Sequence, residues 1–227
     1  MEDLKFKGND PGAVQHGNFI NYYNFNPPEE RIQQLPKNIW KTDITHCLDI
    51  GCNSGDLTVA FHEFLENCGC HNNQILGIDI DPILVKRAKE KFTKIEFHCL
   101  NIMSSDGSTF IRCYLEKNNL KKFHVVTCFS ITMWIHLNNG DDGLRRFLKH
   151  ISDLGELIVI EPQPWKCYKT AVKRLRKCNS EFSHFKALEL RESIEMDIEN
   201  FLVTECKRTK IMQSDNTKWG RKLLIFT

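Results

Sequence analysis

Short apolar runs alternate with amphipathic segments along most of the chain, beginning near Thr45. Five apolar runs predict strands, and segments with apolar residues at helical spacing predict helices between them. This alternation is typical of an α/β fold with a mostly parallel sheet covered by helices. The predicted strands are 46–50, 74–78, 95–99, 123–129 and 157–160, and the predicted helices are 56–66, 82–92 and 143–151.

The two ends of the chain depart from this alternation. Residues 201–212 and 222–226 predict two further strands with a short connection, so we expect an antiparallel hairpin to complete a seven-stranded sheet. Residues 1–40 are rich in asparagine, proline and aromatic residues, and we expect them to form an arm over the functional site. We expect 41–227 to form the main domain, in a chain whose 227 residues suit a single domain overall.

The composition argues against several classes of protein. With a formal net charge of +2, any affinity for nucleic acid must come from a local patch. We expect no signal peptide, because the residues after Met1 lack an apolar core, and no membrane span, because no apolar run approaches ~20 residues. The ten cysteines are scattered, which is typical of reduced thiols inside a cell. Around Cys68 and Cys70 a second ligand pair is missing, so we predict a surface loop and no metal site.

The stretch CLDIGCNSGDL, residues 47–57, predicts a ligand-binding turn after the first strand. Gly51 and Gly55 suit a backbone that turns sharply and lets a ligand approach without a Cβ in the way. The pattern is not G-x-G-x-x-G, which disfavours a nicotinamide cofactor. Asp49 ends this strand and Asp79 ends the next, where an acid in doubly wound folds accepts hydrogen bonds from ribose hydroxyls.

The stretch SITMWIHLNNGDDGL, residues 130–144, follows the fourth strand and is predicted to begin as an exposed loop. A lone tryptophan or histidine usually packs in a core, but Trp134 and His136 together at a strand end favour a pocket. The stretch Asn26-Pro27-Pro28 resembles a motif of amino-methylating enzymes. It precedes the glycine turn instead of following the fourth strand, so we do not interpret it as that motif.

The stretch EPQPWKCYKTAVKRLRK, residues 161–177, leaves the fifth strand through a rigid corner into a basic segment. At ~100° per residue, its basic side chains share one face of a helix and its apolar side chains the other. A solvated face usually carries mixed charges, whereas this one has no acids, so we favour a track for an anion such as a phosphate backbone, which the resemblance described below identifies as that of RNA. The basic face contains Lys166, Lys169, Lys173, Arg176 and Lys177.

The glycine turn, Asp79 and the final hairpin resemble the class I S-adenosylmethionine-dependent methyltransferases, which have a Rossmann-like fold. Three segments, GNFINYYNFNPPEERI, SITMWIHLNNGDDGL and EPQPWKCYK, resemble the bicoid-interacting family of RNA methyltransferases, which methylate the terminal 5′ phosphate of small RNAs. The resemblance covers 17–226. The family's capping branch, which acts on a γ-phosphate, carries a lysine where this chain has Met133. This chain is therefore more similar to the cytoplasmic branch that methylates RNA 5′ monophosphates, with substrates resembling histidine tRNA and microRNA precursors.

The resemblance implies roles for particular residues and S-adenosylmethionine as the cofactor. The cofactor-binding residues are expected to be Arg31, Asp49, Gly51, Asn53, Gly55, Asp79, Asn101, Ile102 and Phe129. The expected catalytic residues are Tyr22, His136 and Trp165, and the expected RNA- or phosphate-binding residues are Tyr23, Lys166, Lys169, Lys173 and Arg176. Phe25 is an alternative base-stacking residue, and Glu161 is expected to orient His136 or a backbone amide.

A 5′ monophosphate has a second pKa near ~6, so its oxygens are already anionic at pH 7 and no general base is predicted. The expected partner is a small RNA with a 5′ monophosphate; we expect no DNA and no membrane partner, and a monomer in the cytoplasm. The alternatives are the capping reaction, a protein or metabolite methyltransferase, a non-catalytic RNA-binding chaperone, and a doubly wound protein of another function.

Overall fold

The computed structural model describes residues 4–41 and 43–227. The expectation about a signal peptide depends in part on residues 1–3, which lie outside the described residues. The helices are α1 (Tyr22–Phe25), α2 (Pro28–Ile32), α3 (Asp56–Asn67), α4 (Pro82–Lys91), α5 (Ser105–Lys117), α6 (Thr132–Leu154), α7 (Trp165–Lys177) and α8 (Ile194–Thr204). The strands are β1 (His46–Ile50), β2 (Gln74–Asp79), β3 (Glu96–Cys99), β4 (Phe123–Phe129), β5 (Gly155–Glu161), β6 (Lys210–Gln213) and β7 (Leu224–Phe226).

In the described part of the chain these strands form one seven-stranded sheet, in the order β3-β2-β1-β4-β5-β7-β6. The first five pair in parallel, and β7 pairs antiparallel with both β5 and β6. The predicted class I methyltransferase architecture, a mostly parallel sheet with an antiparallel C-terminal hairpin, is confirmed. The order reverses between β1 and β4, and a ligand cleft is expected outside the carboxyl ends of the strands at such a point.

Alternate residues of each strand point to opposite sides of the sheet, and both faces are covered by helices or by the segment before β1. In β5, Ile158 and Ile160 join a core that also contains apolar residues of α5, α6, α7 and α8. Val159 joins the opposite core, with apolar residues of α3 and of the segment before β1. Trp40 of that segment packs edge-on against Phe61, with ring centroids 5.6 Å apart. The arm is thus fastened to the sheet by burial of apolar surface.

Several predicted boundaries are wrong. The segment after β4 is not a loop, because α6 begins at Thr132 and runs to Leu154, with non-helical backbone at Gly140 (φ 71°, ψ −176°). Residues 201–204 end α8 instead of beginning a strand, and β6 covers only Lys210–Gln213. The helices α5 and α8 were not predicted. No helix in the described ranges has the length and apolarity that crossing a bilayer would require.

Candidate active site

A cleft of about 290 Å³ lies at the carboxyl ends of β1, β2 and β4. The arm covers it from one side and the first turns of α6 from another, because Gly17, Tyr22, Trp134 and Asn138 all line it. Seven of the residues predicted to bind the cofactor also line this cleft. They are Asp49, Gly51, Asn53, Asp79, Asn101, Ile102 and Phe129.

The turn after β1 follows the cleft wall closely. Gly51 has φ 81°, and a Cβ there would collide with the side chain of Ile131. The Gly51 N–H donates to the Ile78 carbonyl (2.8 Å), which fixes the turn against β2. The Asn53 side chain donates to the Phe19 carbonyl of the arm (3.1 Å). Gly55 (φ 82°) does not line the cleft; it permits the close approach of the Phe97 ring at the start of α3.

Two buried carboxylates stand at this edge of the sheet. Asp79 accepts hydrogen bonds from the backbone N–H groups of Asn53 and Asp81, both at 2.9 Å, and burial raises its pKa to about 6. Asp49 accepts hydrogen bonds from the hydroxyls of Thr58 and Thr127, both at 2.6 Å, and burial raises its pKa as well. Asp79 keeps capacity for further donors, since an ionised carboxylate has about four acceptor positions.

The loop after β3 forms the far wall of the cleft. The Asn101 side chain accepts a hydrogen bond from the Met103 N–H (2.9 Å), and Ile102 is buried. A nucleoside cofactor requires a glycine turn whose backbone it can approach, a carboxylate that can accept hydrogen bonds, and an apolar wall. The cleft provides these with Gly51, Asp79 and Ile102. These residues therefore fit S-adenosylmethionine.

Arg31 does not line the cleft, contrary to the expectation that it binds the cofactor. Its side chain is completely buried, and Nε (3.0 Å) and Nη2 (2.9 Å) both donate to Glu161 Oε2. The other carboxylate oxygen of Glu161 accepts a hydrogen bond from Trp219 Nε1 (3.1 Å). Glu161 thus orients Arg31, and the expectation that it orients His136 is wrong.

Around this ion pair lie the polar side chains of Tyr22, Ser130 and Arg221. Of these three, only Tyr22 was predicted from the sequence to be a site residue. Arg221 Nη1 donates to Ser130 Oγ (2.6 Å) and to Tyr22 Oη (3.3 Å). Arg31 Nη2 donates to the same two oxygens, at 3.0 Å and 2.7 Å. Tyr22 and Ser130 line the cleft, and Ser130 has a left-handed backbone (φ 59°). Arg221 was overlooked because it lies in the connection between β6 and β7, where the only sequence signal was Trp219-Gly220-Arg221.

His136 lies inside α6 and is completely buried, so its predicted position in an exposed loop is wrong. Its Nδ1 pairs with Tyr168 Oη (3.1 Å) and its Nε2 with Asp141 Oδ1 (2.7 Å). Burial lowers its pKa, although Asp141 acts in the opposite direction. Both ring nitrogens are engaged away from the cleft, so the imidazole is not placed to contact a phosphate. It joins α6 to α7 instead.

Trp165 does not line the cleft either. It stacks on Phe185, with ring centroids 5.5 Å apart and planes at 13°, and it packs against Tyr168. This position does not support the expectation that Trp165 is a catalytic residue. Trp134 does line the cleft, and it meets Phe19 of the arm edge-on at 5.8 Å.

The remaining predicted contacts fall in two places. Tyr23 lines the cleft, but its hydroxyl donates to the Cys52 carbonyl (3.4 Å), and burial raises its pKa well above the usual value. Phe25 is 79% exposed. On α7 the helical-wheel prediction is confirmed: the five basic residues assigned to one face are exposed, whereas Ala171, Val172 and Leu175 are buried. These five are Lys166, Lys169, Lys173, Arg176 and Lys177.

Comparison with known proteins agrees with this arrangement. A family model described as Bicoid-interacting protein 3 (Bin3) matches residues 123–227, and one described as Methyltransferase domain matches residues 48–157. The chain is 39% identical to the pre-miRNA 5′-monophosphate methyltransferase of Danio rerio, over 95% of this chain and 93% of that protein. It is 38% identical to the RNA 5′-monophosphate methyltransferase of Homo sapiens, over 95% of this chain and 81% of that protein.

The fold is similar to that of a solved methyltransferase. The plantazolicin methyltransferase BpumL was crystallised with S-adenosyl-L-homocysteine (SAH). It superposes with a TM-score of 0.58 over 95% of each chain at 12% identity. At that identity the likeness concerns the fold alone. Near-complete alignment with the animal enzymes, together with a cleft that fits the methyl donor, assigns the chain to the bicoid-interacting (Bin3) family of S-adenosylmethionine-dependent methyltransferases.

Proposed function

We propose that this chain transfers a methyl group from S-adenosylmethionine to the 5′ monophosphate of a small RNA. The names of the Danio rerio and Homo sapiens relatives support this substrate class. We further propose that it acts as a monomer in the cytoplasm, on RNA and not DNA. Histidine tRNA and microRNA precursors are the small RNAs proposed from the family resemblance.

The observation that carries this proposal is the state of the acidic groups at the cleft edge. Asp49 accepts from two threonine hydroxyls, Asp79 from two backbone N–H groups, and Glu161 from Arg31 and Trp219. None of these three carboxylates is placed as a free base. An amine or hydroxyl acceptor must lose a proton during transfer, whereas a 5′ monophosphate with a second pKa near ~6 arrives deprotonated.

The residues of the chain then have to bind and align two ligands. S-adenosylmethionine, when bound, supplies a methyl group on a positively charged sulfur. Asp79 would hold its ribose hydroxyls, the glycine turn with Asn53 its amino-acid part, and Asn101 and Ile102 its adenine. Alignment of the acceptor is worth several kcal/mol, since well-oriented groups avoid about 7–11 kcal/mol of entropic and solvent cost.

The acceptor side has a different chemistry. Ser130 and Tyr22 line it with hydroxyl groups, backed by the guanidinium groups of Arg31 and Arg221. The exposed basic face of α7, which begins at Lys166, suits the phosphates that follow along the RNA. We propose Lys166, Lys169, Lys173 and Arg176 for those contacts.

The runner-up is methylation of a γ-phosphate, as in the capping branch. At the position where that branch carries a lysine, Met133 is buried (4% exposed), and its backbone N–H donates to Gln163 (3.1 Å). This position offers no additional cation for a triphosphate. We therefore propose the 5′ monophosphate, and not the γ-phosphate of a triphosphate, as the methyl acceptor.

The test uses one RNA sequence with three different 5′ ends: hydroxyl, monophosphate and triphosphate. Transfer of labelled methyl is expected to the monophosphate alone, and removal of the phosphate beforehand should abolish it. Label on the triphosphate alone would assign the capping reaction, and label independent of RNA would assign a protein or metabolite substrate. An Asp79→Ala variant serves as the control for methyl-donor binding.

A further inference from the structure

Two arginines from opposite ends of the chain converge on the same two hydroxyl groups. Arg31 lies in α2 and Arg221 lies just before β7, yet both donate to Ser130 Oγ and Tyr22 Oη. The acid in direct contact with this group is Glu161, which bonds Arg31 through Oε2 and Trp219 through Oε1. Ser130 donates its own proton to Glu161 Oε2.

The charges of this group do not cancel. One carboxylate, Glu161, faces two guanidinium groups, and it forms its ion pair with Arg31. Asp49 also acts electrostatically on Arg31, but its oxygens already accept from two threonine hydroxyls. Arg221 is left without a carboxylate partner of its own among the described residues. Glu161 also acts electrostatically on Arg221, so one carboxylate serves two largely buried cations. A buried excess of positive charge is costly, which points to an anionic ligand.

The hydrogen-bond donors point to the same conclusion. Arg221 Nε is buried and has no hydrogen-bond partner in the described structure, and Nη2 contacts only the Cys167 sulfur, at 4.0 Å. Tyr22 Oη accepts from both arginines, so its own proton remains available for an acceptor. Two guanidinium nitrogens and one phenol are thus donors without a strong acceptor. Guanidinium groups bind phosphate oxygens with paired, parallel hydrogen bonds.

The position of the group relative to the cleft completes the argument. Tyr22 and Ser130 line the cleft at the end of β4, whereas Asp79 lines it at the end of β2 on the other side of β1. A Cβ built on Gly220 would lie 2.8 Å from Lys166 Nζ, so this ammonium group stands directly over the turn that carries Arg221. Lys166 is also the first residue of the basic face of α7. A cationic path therefore leads from Arg221 onto that helix.

We propose that Arg221, together with the Tyr22 hydroxyl, forms the seat for the terminal phosphate of the RNA. This inference rests on the proposed function and adds to it the residue that binds the reacting group. Arg31 holds the seat in place through Glu161 and Ser130, while Arg221 contacts the phosphate. Lys166 then receives the next phosphate along the chain.

The experiment compares binding of RNA with a 5′ monophosphate and the same RNA with a 5′ hydroxyl, in the presence of SAH. The variants are Arg221→Gln and Arg221→Lys, and the matched control is Lys222→Gln, since Lys222 is the exposed neighbouring residue. Arg221→Gln is expected to weaken binding of the monophosphate RNA by about 100-fold, because truncating a buried charged partner has effects of this size. Arg221→Lys should recover part of that loss, and Lys222→Gln should match the wild type.

Binding of the 5′-hydroxyl RNA and of SAH should change less than about 3-fold in every variant, which separates loss of the seat from loss of the fold. The proposal is overturned if Arg221→Gln weakens both RNAs equally, or if the wild type does not discriminate between them. Methyl transfer is measured in parallel. If the wild type transfers methyl to the monophosphate RNA and Arg221→Gln does so equally well, the proposed function stands and the seat is wrong.

Discussion

The buried pair of Arg31 and Glu161 allows a quantitative test of the site's construction. Both side chains are completely buried, and Glu161 accepts two hydrogen bonds from Arg31, at 3.0 Å and 2.9 Å, and one from Trp219, at 3.1 Å. The substitution Glu161→Gln keeps the shape of the side chain but removes its charge. Both Arg31 and Arg221 would then remain without a counter-ion in a poorly hydrated environment.

Breaking a buried ion pair by removing one partner costs about 3–5 kcal/mol in free energy of unfolding. For a chain of this size each kcal/mol lowers the melting temperature by roughly 2–4 °C, so Glu161→Gln should lower it by roughly 6–20 °C. The measurement is thermal and urea unfolding of the full chain. Asp153→Asn is the matched control, because the Lys149–Asp153 pair (2.6 Å) is exposed on both sides, and it should cost less than about 1 kcal/mol.

A double-mutant cycle sharpens the test. Combining Arg31→Met with Glu161→Gln should cost less than the sum of the two single changes, by about 1–3 kcal/mol, because the two side chains contact each other. A drop in melting temperature below about 2 °C for Glu161→Gln would refute the reasoning. Strict additivity in the cycle would refute it as well.

Three further predictions concern the cofactor, the buried histidine and the basic helix. Because burial raises the pKa of Asp79 to about 6 and ribose hydroxyls need the ionised carboxylate, SAH affinity should be constant above pH 6 and fall roughly tenfold per pH unit below it. Asp79→Asn should remove this pH dependence in calorimetry. His136→Ala should cost about 2–3 kcal/mol of stability, through the lost bonds to Tyr168 and Asp141, while the folded enzyme keeps its methyl-transfer rate within about 3-fold. Reversing three exposed lysine or arginine side chains of α7 to glutamate should weaken RNA binding at least tenfold and leave SAH binding unchanged. These three are Lys169, Lys173 and Arg176.

For each of these three predictions, one experimental result would contradict the reasoning. A pH profile of SAH binding that is flat between pH 5 and 7 would contradict the role given to Asp79. A loss of methyl transfer in folded His136→Ala protein would restore that residue to the reaction. For α7, the control reverses three exposed lysines near the amino end of β4, at the edge of the sheet away from the cleft. They are Lys117, Lys121 and Lys122, and an equal loss of RNA affinity in both triple variants would show that net charge alone is responsible.

Local patterns predicted the parts of the molecule that depend on neighbours in sequence. The glycine turn and Asp79 were placed correctly because a strand, a turn and a helix N-terminus in the βαβ unit follow from residues within about 30 positions. The two faces of α7 were predicted because a helix repeats every 3.6 residues, so charge and burial separate on a wheel. The structure around these residues is determined by their near neighbours in the sequence.

The parts that failed depend on contacts distant in sequence. The run after β4 contains asparagines and glycines, which are typical of loops, but α6 is stabilised by burial of Leu137, Leu144 and other apolar residues against the sheet. His136 was predicted to be exposed because the segment after β4 was interpreted as a loop, and its partner Tyr168, 32 residues away, could not be inferred locally. Arg31 was assigned to the cofactor from the family resemblance, and its true partner, Glu161, lies 130 positions away, so no local pattern could reveal the pair.

The separation of Arg31 and Glu161 also has a consequence for synthesis of the chain. The two residues are 130 positions apart, and at 5–20 residues per second the ribosome needs roughly 6–26 s to add Glu161 after Arg31. During that interval Arg31 lacks its partner carboxylate, and Arg221 is added later still. All the residues that line the cleft are added before Glu161 and Arg221. The chain therefore contains the side chains of the methyl-donor side before it contains those that complete the acceptor side.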